Sequence, residues 1–501
     1  MMRKHILRTS LVAASFVAGL TACDNDKLTQ VNANPNQPET VASGPLFTNA
    51  TISALSNLRG SSFEHGFGAL WVQHYAEIQY PESDLNVPRG STVELFWTTF
   101  YSGALQDYTQ ILTQSAGAAD LAGPALVMRA FLVEEMTDLW GDIPFTEASR
   151  GSANLTPKYD PQQVVYDSLF ASLTKAASTM TGAGASYGAA DPIYGQLELS
   201  ATDQAKQWVK LANSLHARAA LRISQADAAK SRAELTKALA GPVFTSNDDN
   251  AFMIWPGGTV ANPLCLNWFG CQGTRDDQRI SQRFVDTLLI TGDPRLQKYA
   301  LPTVASTLPT AGTCDVPYRG FPNGLASANV KNPCTGKNFG LADYSKPTLA
   351  IRSQTSPSYV MTYSELLFIK AEAAQRGWIA GSAAQYYNDA ITASMKQWVV
   401  DPADIAAYLA KPGVQYNAAT GLKQIAYEKW VSLFNLENEA YAEWRRLDYP
   451  VLKPGPAAVT PTVPTRMPYP AIENSLNASN LAAASSAQGN VDINGHVWWD
   501  K

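Results

Sequence analysis

The chain has 501 residues, 38 basic against 43 acidic, with 46% hydrophobic and 16% charged. High apolar content at low charge excludes a chain that is disordered by default, and the acidic excess excludes the basic footprint of a nucleic-acid binder. The length exceeds the roughly 250–300 residues of a usual single core, so one very large α-rich body or two lobes are both admissible.

The N-terminus has the plan of a secretory signal. Arg3, Lys4 and Arg8 precede the apolar run Leu11 to Leu20, which is too short to span a bilayer, and small residues lead to Cys23. Leu20-Thr21-Ala22-Cys23 resembles a bacterial lipobox, in which the cysteine thiol receives a diacylglycerol and becomes the new N-terminus. Each buried acyl CH₂ contributes about 0.8 kcal/mol, so several chains anchor firmly. Loss of residues 1–22 removes those three cations and takes the net charge from −5 to −8. Asp24 and Asp26 resemble an acidic tag that sends lipoproteins to the cell surface in some Gram-negative groups. No later stretch is long and apolar enough to span a membrane, so the expectation is a tethered rather than an embedded protein.

Residues 23–45, polar and punctuated by Pro35 and Pro38, read as a linker. Helical periodicity then dominates about 46–245. One run spans Pro124 to Gly141, with Pro in its first turn, Met128, Leu132, Met136 and Leu139 on one stripe, and Gly141 and Pro144 as stops. A second, Asp203 to Ser224, buries Trp208, Ala212, Leu215, Ala219 and Ile223. Alanine-rich segments near 161–181 and 227–240 read similarly. About 246–345 is irregular and loop-rich, apart from a helix near Ser281 to Ile290. Helices resume over about 346–450. Tyr363, Leu367, Ala371, Ala374 and Trp378 form a stripe with Glu365, Glu372 and Arg376 opposite, and Ala384 to Trp398 completes a tetratricopeptide-like pair. A single long helix is predicted over Leu422 to Asp448, and 451–501 reads as irregular. The fold class is mainly α: a tetratricopeptide-like helical-pair scaffold with a loop-rich ligand-binding lobe, 46–501 forming one domain.

Four cysteines follow Cys23. Export places them where disulfides persist, and sequence proximity favours Cys265 with Cys271 and Cys314 with Cys334 among three possible connectivities. There is no C-x-x-C and no zinc-like histidine spacing, so no metal site or cofactor is expected. The runs Ser246 to Asn250 and Thr291 to Asp293 offer oxygens for a structural calcium, but turn chemistry accounts for them equally. Gly184-Ala185-Ser186-Tyr187-Gly188 matches a nucleophile elbow without the strand such an elbow needs. Glu134-Glu135 and Glu437/Glu439/Glu443 are the carboxylates a glycoside hydrolase would use, but on helices they read as solvated faces or local ion pairs, Glu443 with Arg446 among them. The reading is therefore of a binding protein rather than an enzyme.

Aromatic residues on loops are the more informative feature. Trp268 and Phe269 lie inside the 265–271 ring beside Asn267; Trp255 precedes Pro256-Gly257-Gly258; Tyr318-Arg319 precedes Gly320. Ring faces cover the C–H faces of sugars while neighbouring polar groups bond the hydroxyls, so these residues, with Asn323, form a candidate glycan platform. Trp97, Trp208, Trp378, Trp430 and Trp444 sit on helical stripes and read as core.

Several segments in this order resemble the SusD/RagB family of surface nutrient-binding lipoproteins, particularly its SusD-like branch. They are Arg129-Ala130 with Asp138 to Phe145, the Trp208 to Arg222 stripe, Asp293-Pro294-Arg295, Tyr318-Arg319-Gly320, Tyr363-Ser364-Glu365 with Ala371 to Ala374 and Arg376-Gly377-Trp378, Trp444-Arg445-Arg446 with Tyr449-Pro450, and Arg466 to Pro470 with Glu473 and Asn477. The resemblance implies a helical body packed on a ligand-binding lobe, sitting over a SusC-type TonB-dependent outer-membrane transporter. It further implies capture of oligosaccharides, or of peptides in the RagB branch, without chemistry. Chain order places the pocket near Tyr80 and within 255–325.

Overall fold

Capping side chains set where several of the helices begin. In the computed structural model, which describes residues 41–268, 271, 273, 276–308, 311–325, 331–490 and 492–500, the helices of eight or more residues are α1 (Ser43–Leu58), α2 (Gly90–Ser102), α3 (Ala104–Gln114), α4 (Ala119–Trp140), α5 (Gln162–Thr179), α6 (Ala201–Arg222), α7 (Ala228–Ala240), α8 (Gln282–Thr291), α9 (Tyr363–Gln375), α10 (Ala383–Gln397), α11 (Pro402–Leu409), α12 (Gly421–Ser432), α13 (Glu437–Leu447) and α14 (Ala478–Ala487). Ser200 accepts the Asp203 N–H at the head of α6, and Thr362 accepts that of Glu365 at the head of α9. Gly141, at φ 84°, closes α4. Successive helices pack on one another through α4, α5, α6 and α7, and again through α9 and α10, the helical-pair arrangement of a tetratricopeptide-like scaffold. Ser43–Lys501 forms one compact unit. The lipobox cysteine Cys23, the signal segment and most of the linker lie outside the described residues.

Three two-stranded antiparallel sheets join distant parts of the chain. Strand β1 (Tyr75–Glu77) pairs with β5 (Gln278–Ile280), β2 (Ile143–Pro144) with β3 (Tyr159–Asp160), and β4 (Ala251–Ile254) with β6 (Pro357–Met361). The first of these matters most here, because it ties the segment after α1 to the loop-rich region and sets Glu77 opposite Gln278. Cys265 is bonded to Cys271, and Cys314 to Cys334.

Two helix boundaries differ from expectation. α4 starts at Ala119, so Pro124 lies in its second turn; the Asp120 carboxylate ahead of it accepts the N–H groups of Thr181, Gly182 and Gly184 and anchors that loop. Ser186 is thus part of a strap and not of a strand-to-helix elbow. The long helix read over Leu422 to Asp448 is two helices. Asn435 takes φ 74° between them, its N–H bonds the Glu437 carboxylate at 2.7 Å, and the Glu64 carboxylate accepts the Glu437 and Asn438 N–H groups at 2.8 and 3.1 Å. A buried acid from 373 residues upstream caps α13, a break with no local apolar signal.

The acidic helix residues also depart from the reading as solvated faces. Glu134, Glu135, Glu365, Glu372, Glu437, Glu439 and Glu443 are all buried. Arg222, fully buried, binds Asp138 at 3.1 Å, Glu439 at 2.5 Å and Glu443. Arg218 binds Glu134 at 2.6 Å, Arg446 joins Glu372 and Glu443 at 2.6 and 2.7 Å, and Lys429 reaches Glu443 at 2.9 Å. Arg59 spans Glu64 and Glu135 at 2.8 and 3.0 Å. The sequence pairing of Glu443 with Arg446 is present, inside the core rather than at its surface. Burial pushes the Glu64 carboxyl up to about 8 against the pull of Arg59. Burial likewise raises Glu365, with Glu439 adding to it and Arg218 opposing. For Glu443 the combined field of Arg446, Lys429 and Arg222 overcomes burial and holds it well below the ordinary range.

Raised acids bind more protons folded than unfolded between their two pKa values, so their contribution is complete below the unfolded value and is lost as pH rises to about 8. Glu443 and Glu372, held low, act in the opposite sense and lose stability on acidification below the ordinary carboxylate range. Thermal unfolding is therefore expected to peak at about pH 4.5, the ordinary carboxylate value, and to fall toward about pH 8.5, and Glu365→Gln should flatten the alkaline limb. A second measurement, chemical unfolding of Arg222→Met, is expected to show a loss of about 3–5 kcal/mol, since three buried carboxylates lose their shared partner.

Candidate functional site

The β1–β5 pairing brings together two segments 200 residues apart, and a cleft of about 890 Å³ opens beside it. Its lining includes Glu77, Gln79, Tyr80, Glu82 and Arg89 from one segment and Leu266, Asn267, Asp277 and Gln278 from the other, with hydroxyls from Ser61, Ser62, Ser91 and Thr92. The volume lies in the range of small-molecule sites. Hydroxyls, carboxamides and charged groups supply most of the surface; Tyr80 and Leu266 supply large apolar faces.

Tyr80 is the exposed ring of this cleft. It takes φ 54°, a conformation a bulky residue adopts at a cost of about 1–3 kcal/mol, and its side chain is 53% exposed. Arg89 holds the loop in that shape: one guanidinium nitrogen donates to both Glu77 oxygens at 3.0 and 3.1 Å, to Glu82 at 3.3 Å and to the Tyr80 carbonyl. Burial pushes Glu77 up to about 8, with Arg89 opposing the shift. Asp84, buried and raised to about 7, accepts the Glu77 N–H at 3.3 Å and the Asn323 Nδ2–H at 2.8 Å.

The second wall is the turn Pro263–Asn267, whose N-terminus is capped by Asn262 bonding the Leu264 N–H at 2.8 Å. Leu264 and Cys265 are buried while Leu266 stands 52% exposed. Asn267 donates from Nδ2 to Gln278 Oε1 at 3.0 Å, and Gln278 Nε2 donates to the His65 carbonyl at 2.6 Å.

Of the residues singled out from sequence, the structure brings Tyr80 and Asn267 into this cleft. The others take different places. Trp268 is 0% exposed, its ring edge-on to His65 at 6.4 Å and near Tyr75 at 6.3 Å; it plugs the core behind the turn and offers no face to a ligand. Trp255 is buried at the end of β4, its Nε1–H donating to Ser358 Oγ at 2.9 Å. Both corrections have one cause: the loop-rich region packs against the helical core, and its largest rings fill that junction. Tyr318 is half-buried against the same core, and Arg319 lies 4.0 Å over the Phe339 ring while donating to the Cys314 carbonyl at 2.6 Å. Asn323 ties Ser281, Tyr75 and Asp84 together and lines a separate cavity with Gln73, Arg283 and Lys453. Phe269 lies outside the described residues. Asp249 and Asp293, in the runs with calcium-like composition, bond Lys210 and Arg295. Among helix-stripe tryptophans, Trp97, Trp208 and Trp430 are buried and Trp378 and Trp444 partly so.

Sequence reading missed Glu77, Glu82, Arg89, Leu266 and Gln278. The Arg89 clamp depends on a left-handed Tyr80 that no local pattern announces, and Gln278 enters through strand pairing across 200 residues.

The family described as SusD-like, starch-binding and associating with the outer membrane matches residues 35–470. No curated protein sequence is a significant match. Among solved structures, a chitin-binding protein is 28% identical, with 92% of this chain and 100% of that one covered at a TM-score of 0.78. A chitin-binding SusD homolog from Flavobacterium johnsoniae is 24% identical over 91% of this chain and 98% of its own, with a TM-score of 0.76. A SusD homolog from Bacteroides uniformis is 21% identical over 91% and 99%, also at 0.76. With the matched region spanning most of the chain and the helical-pair scaffold shared with these structures, the protein belongs to the SusD-like family.

Proposed function

We propose that the protein captures oligosaccharides in the Tyr80 cleft and delivers them to a SusC-type TonB-dependent transporter, held at the outer membrane by a lipid on Cys23. The observation that carries this reading is a tyrosine ring fixed in a strained backbone conformation over a cleft lined by carboxamides, hydroxyls and a guanidinium. That is the chemistry a sugar needs: one apolar face to stack on, and many short-range donors and acceptors for its hydroxyls. The family description and the 28%-identical chitin-binding neighbour support a carbohydrate ligand. Among the described residues no helix is long and apolar enough to cross a membrane, and a lipid tether supplies attachment on this reading.

Capture proceeds without bond cleavage. Glu77 and Glu82 both bind the Arg89 guanidinium, and the helix carboxylates of the core are buried away from the cleft. Binding energy goes into affinity, with none reserved for a transition state.

Calorimetry with β-1,4-linked and α-1,4-linked oligosaccharides and with peptides tests the ligand class. Tyr80→Ala is expected to weaken glycan binding by about tenfold, or 1.4 kcal/mol, with thermal stability unchanged; wild-type affinity in that variant would remove Tyr80 from the site. Trp268→Ala should behave in reverse order, destabilising the fold by about 3–5 kcal/mol before any effect on ligand is read. Incubation with the same glycans should return them intact, and shortened products would contradict the non-catalytic reading.

A further inference from the structure

We infer that the cavity between α8 and the 451–456 segment is a second ligand site, one that takes a sugar carrying a carboxylate, such as a hexuronate. It is separate from the Tyr80 cleft and does not depend on the capture assigned there.

The cavity holds about 430 Å³, within the range of small-molecule sites. One face of α8, Gln73 ahead of β1, Pro322 with Asn323, and the segment bearing Lys453 wall it. Gln73 takes φ 58°, a strained conformation for a long side chain, and its Nε2 donates to the Lys453 carbonyl at 2.5 Å. Arg283 Nη2 donates to the Val451 carbonyl at 3.2 Å. Gly455 lies so close to Asn323 that a Cβ there would meet the Asn323 carbonyl oxygen at 2.0 Å. The backbone that carries Lys453 is thus held at three points.

The charges on this frame are unbalanced. Arg283 and Lys453 both line the cavity and, among the described residues, neither is ion-paired, on a chain with an acidic excess overall. In the cleft, by contrast, Arg89 is already bound by Glu77 and Glu82. The carboxylate in the cavity lining, Asp286, is bonded by Gln282 and lies one helical turn from Arg283 without closing on it. Two cations against one carboxylate leave a single positive charge to be met, which suits a monoanion; Asp286 repels a dianion such as a phosphate monoester. Arg283 keeps further N–H donors beyond the one given to Val451, in the planar fork that matches a carboxylate, and Lys453 adds a point charge. Asp286 and Gln282 supply acceptors for ring hydroxyls, while Ile290, 85% exposed, and Pro322 offer apolar surface to the C–H faces of a ring. A bare carboxylate leaves those groups unused, and a neutral hexose leaves the two cations unmet.

Calorimetry of the full mature chain with methyl glucuronide, methyl glucoside and acetate tests the assignment. The glucuronide is expected to bind about tenfold more tightly than either of the others and to weaken as ionic strength rises. Arg283→Gln and Lys453→Gln should each weaken the glucuronide by about threefold and leave the glucoside unchanged, whereas Tyr80→Ala should leave the glucuronide at wild-type affinity. Both cations are exposed, so the variants are expected to melt at the wild-type temperature. Lys453→Gln keeps the test valid if Arg283→Gln loosens the bond to Val451. Absence of glucuronide binding, equal binding of glucuronide and glucoside, acetate binding as tight as that of the glucuronide, or a glucuronide affinity untouched by Lys453→Gln would overturn the second site. So would a glucuronide affinity lost in Tyr80→Ala, which would put the acid in the cleft. Each of these results leaves capture of neutral glycans at Tyr80 standing.

Discussion

The structure depends on a charge network taken out of water. Arg59, Arg218, Arg222, Lys429 and Arg446 are buried against a larger number of carboxylates. An isolated buried charge would cost several kcal/mol, so each cation must find its acids at hydrogen-bond distance, and the surplus acids retain protons. Glu64 and Glu365, with their carboxyls pushed up, are where that surplus is held, while Glu443 stays ionised among three cations. The partners come from α4, α6, α9, α12 and α13. A slip of any one helix by a turn would strand a charge, so the network fixes register in a way that interchangeable apolar contacts do not.

That register reaches the cleft through a short chain of bonds. Glu64, bound by Arg59, caps α13; Glu437 at the head of α13 contacts His74 Nδ1 at 2.5 Å; and His74 immediately precedes β1. β1 then sets Glu77 against Gln278, and Arg89 closes the loop bearing Tyr80 on the Glu77 carboxylate. The polar cleft is thus held by the scaffold on one side and by the disulfide-closed turn on the other. Its residues are preorganised before any ligand arrives, which lowers the ordering cost of binding.

Much of the scaffold was legible from local chemistry. The Asp203 to Ser224 run carries an apolar stripe, and α6 follows it within two residues at each end. The helical pair at 363–398 was marked in the same way. The single helix predicted over 422–448 failed because its break is imposed by Glu64, whose distance in sequence hides it. The helix glutamates misled for a related reason: a polar residue reads as solvated unless its buried partner is known, and the partners lie on other helices. In the site, Tyr80 and Asn267 were accessible to sequence reasoning through chain order and loop chemistry. Trp268 and Trp255 show its limit, since a large ring on a loop is as well suited to sealing the junction between lobe and helices as to meeting a sugar. Leu266 carries no local signal of its own, and its exposure follows from the burial of its neighbours in a capped turn.

The most direct measurement is a crystal structure of the mature protein with a bound β-1,4 tetramer of N-acetylglucosamine. The account predicts an intact glycan in the cleft between β1 and the Pro263–Asn267 turn, one pyranose ring over Tyr80 and Trp268 still buried. A glycan lodged elsewhere, such as against Tyr408 and Tyr427 or beside Trp97, or one cleaved in place, would contradict it.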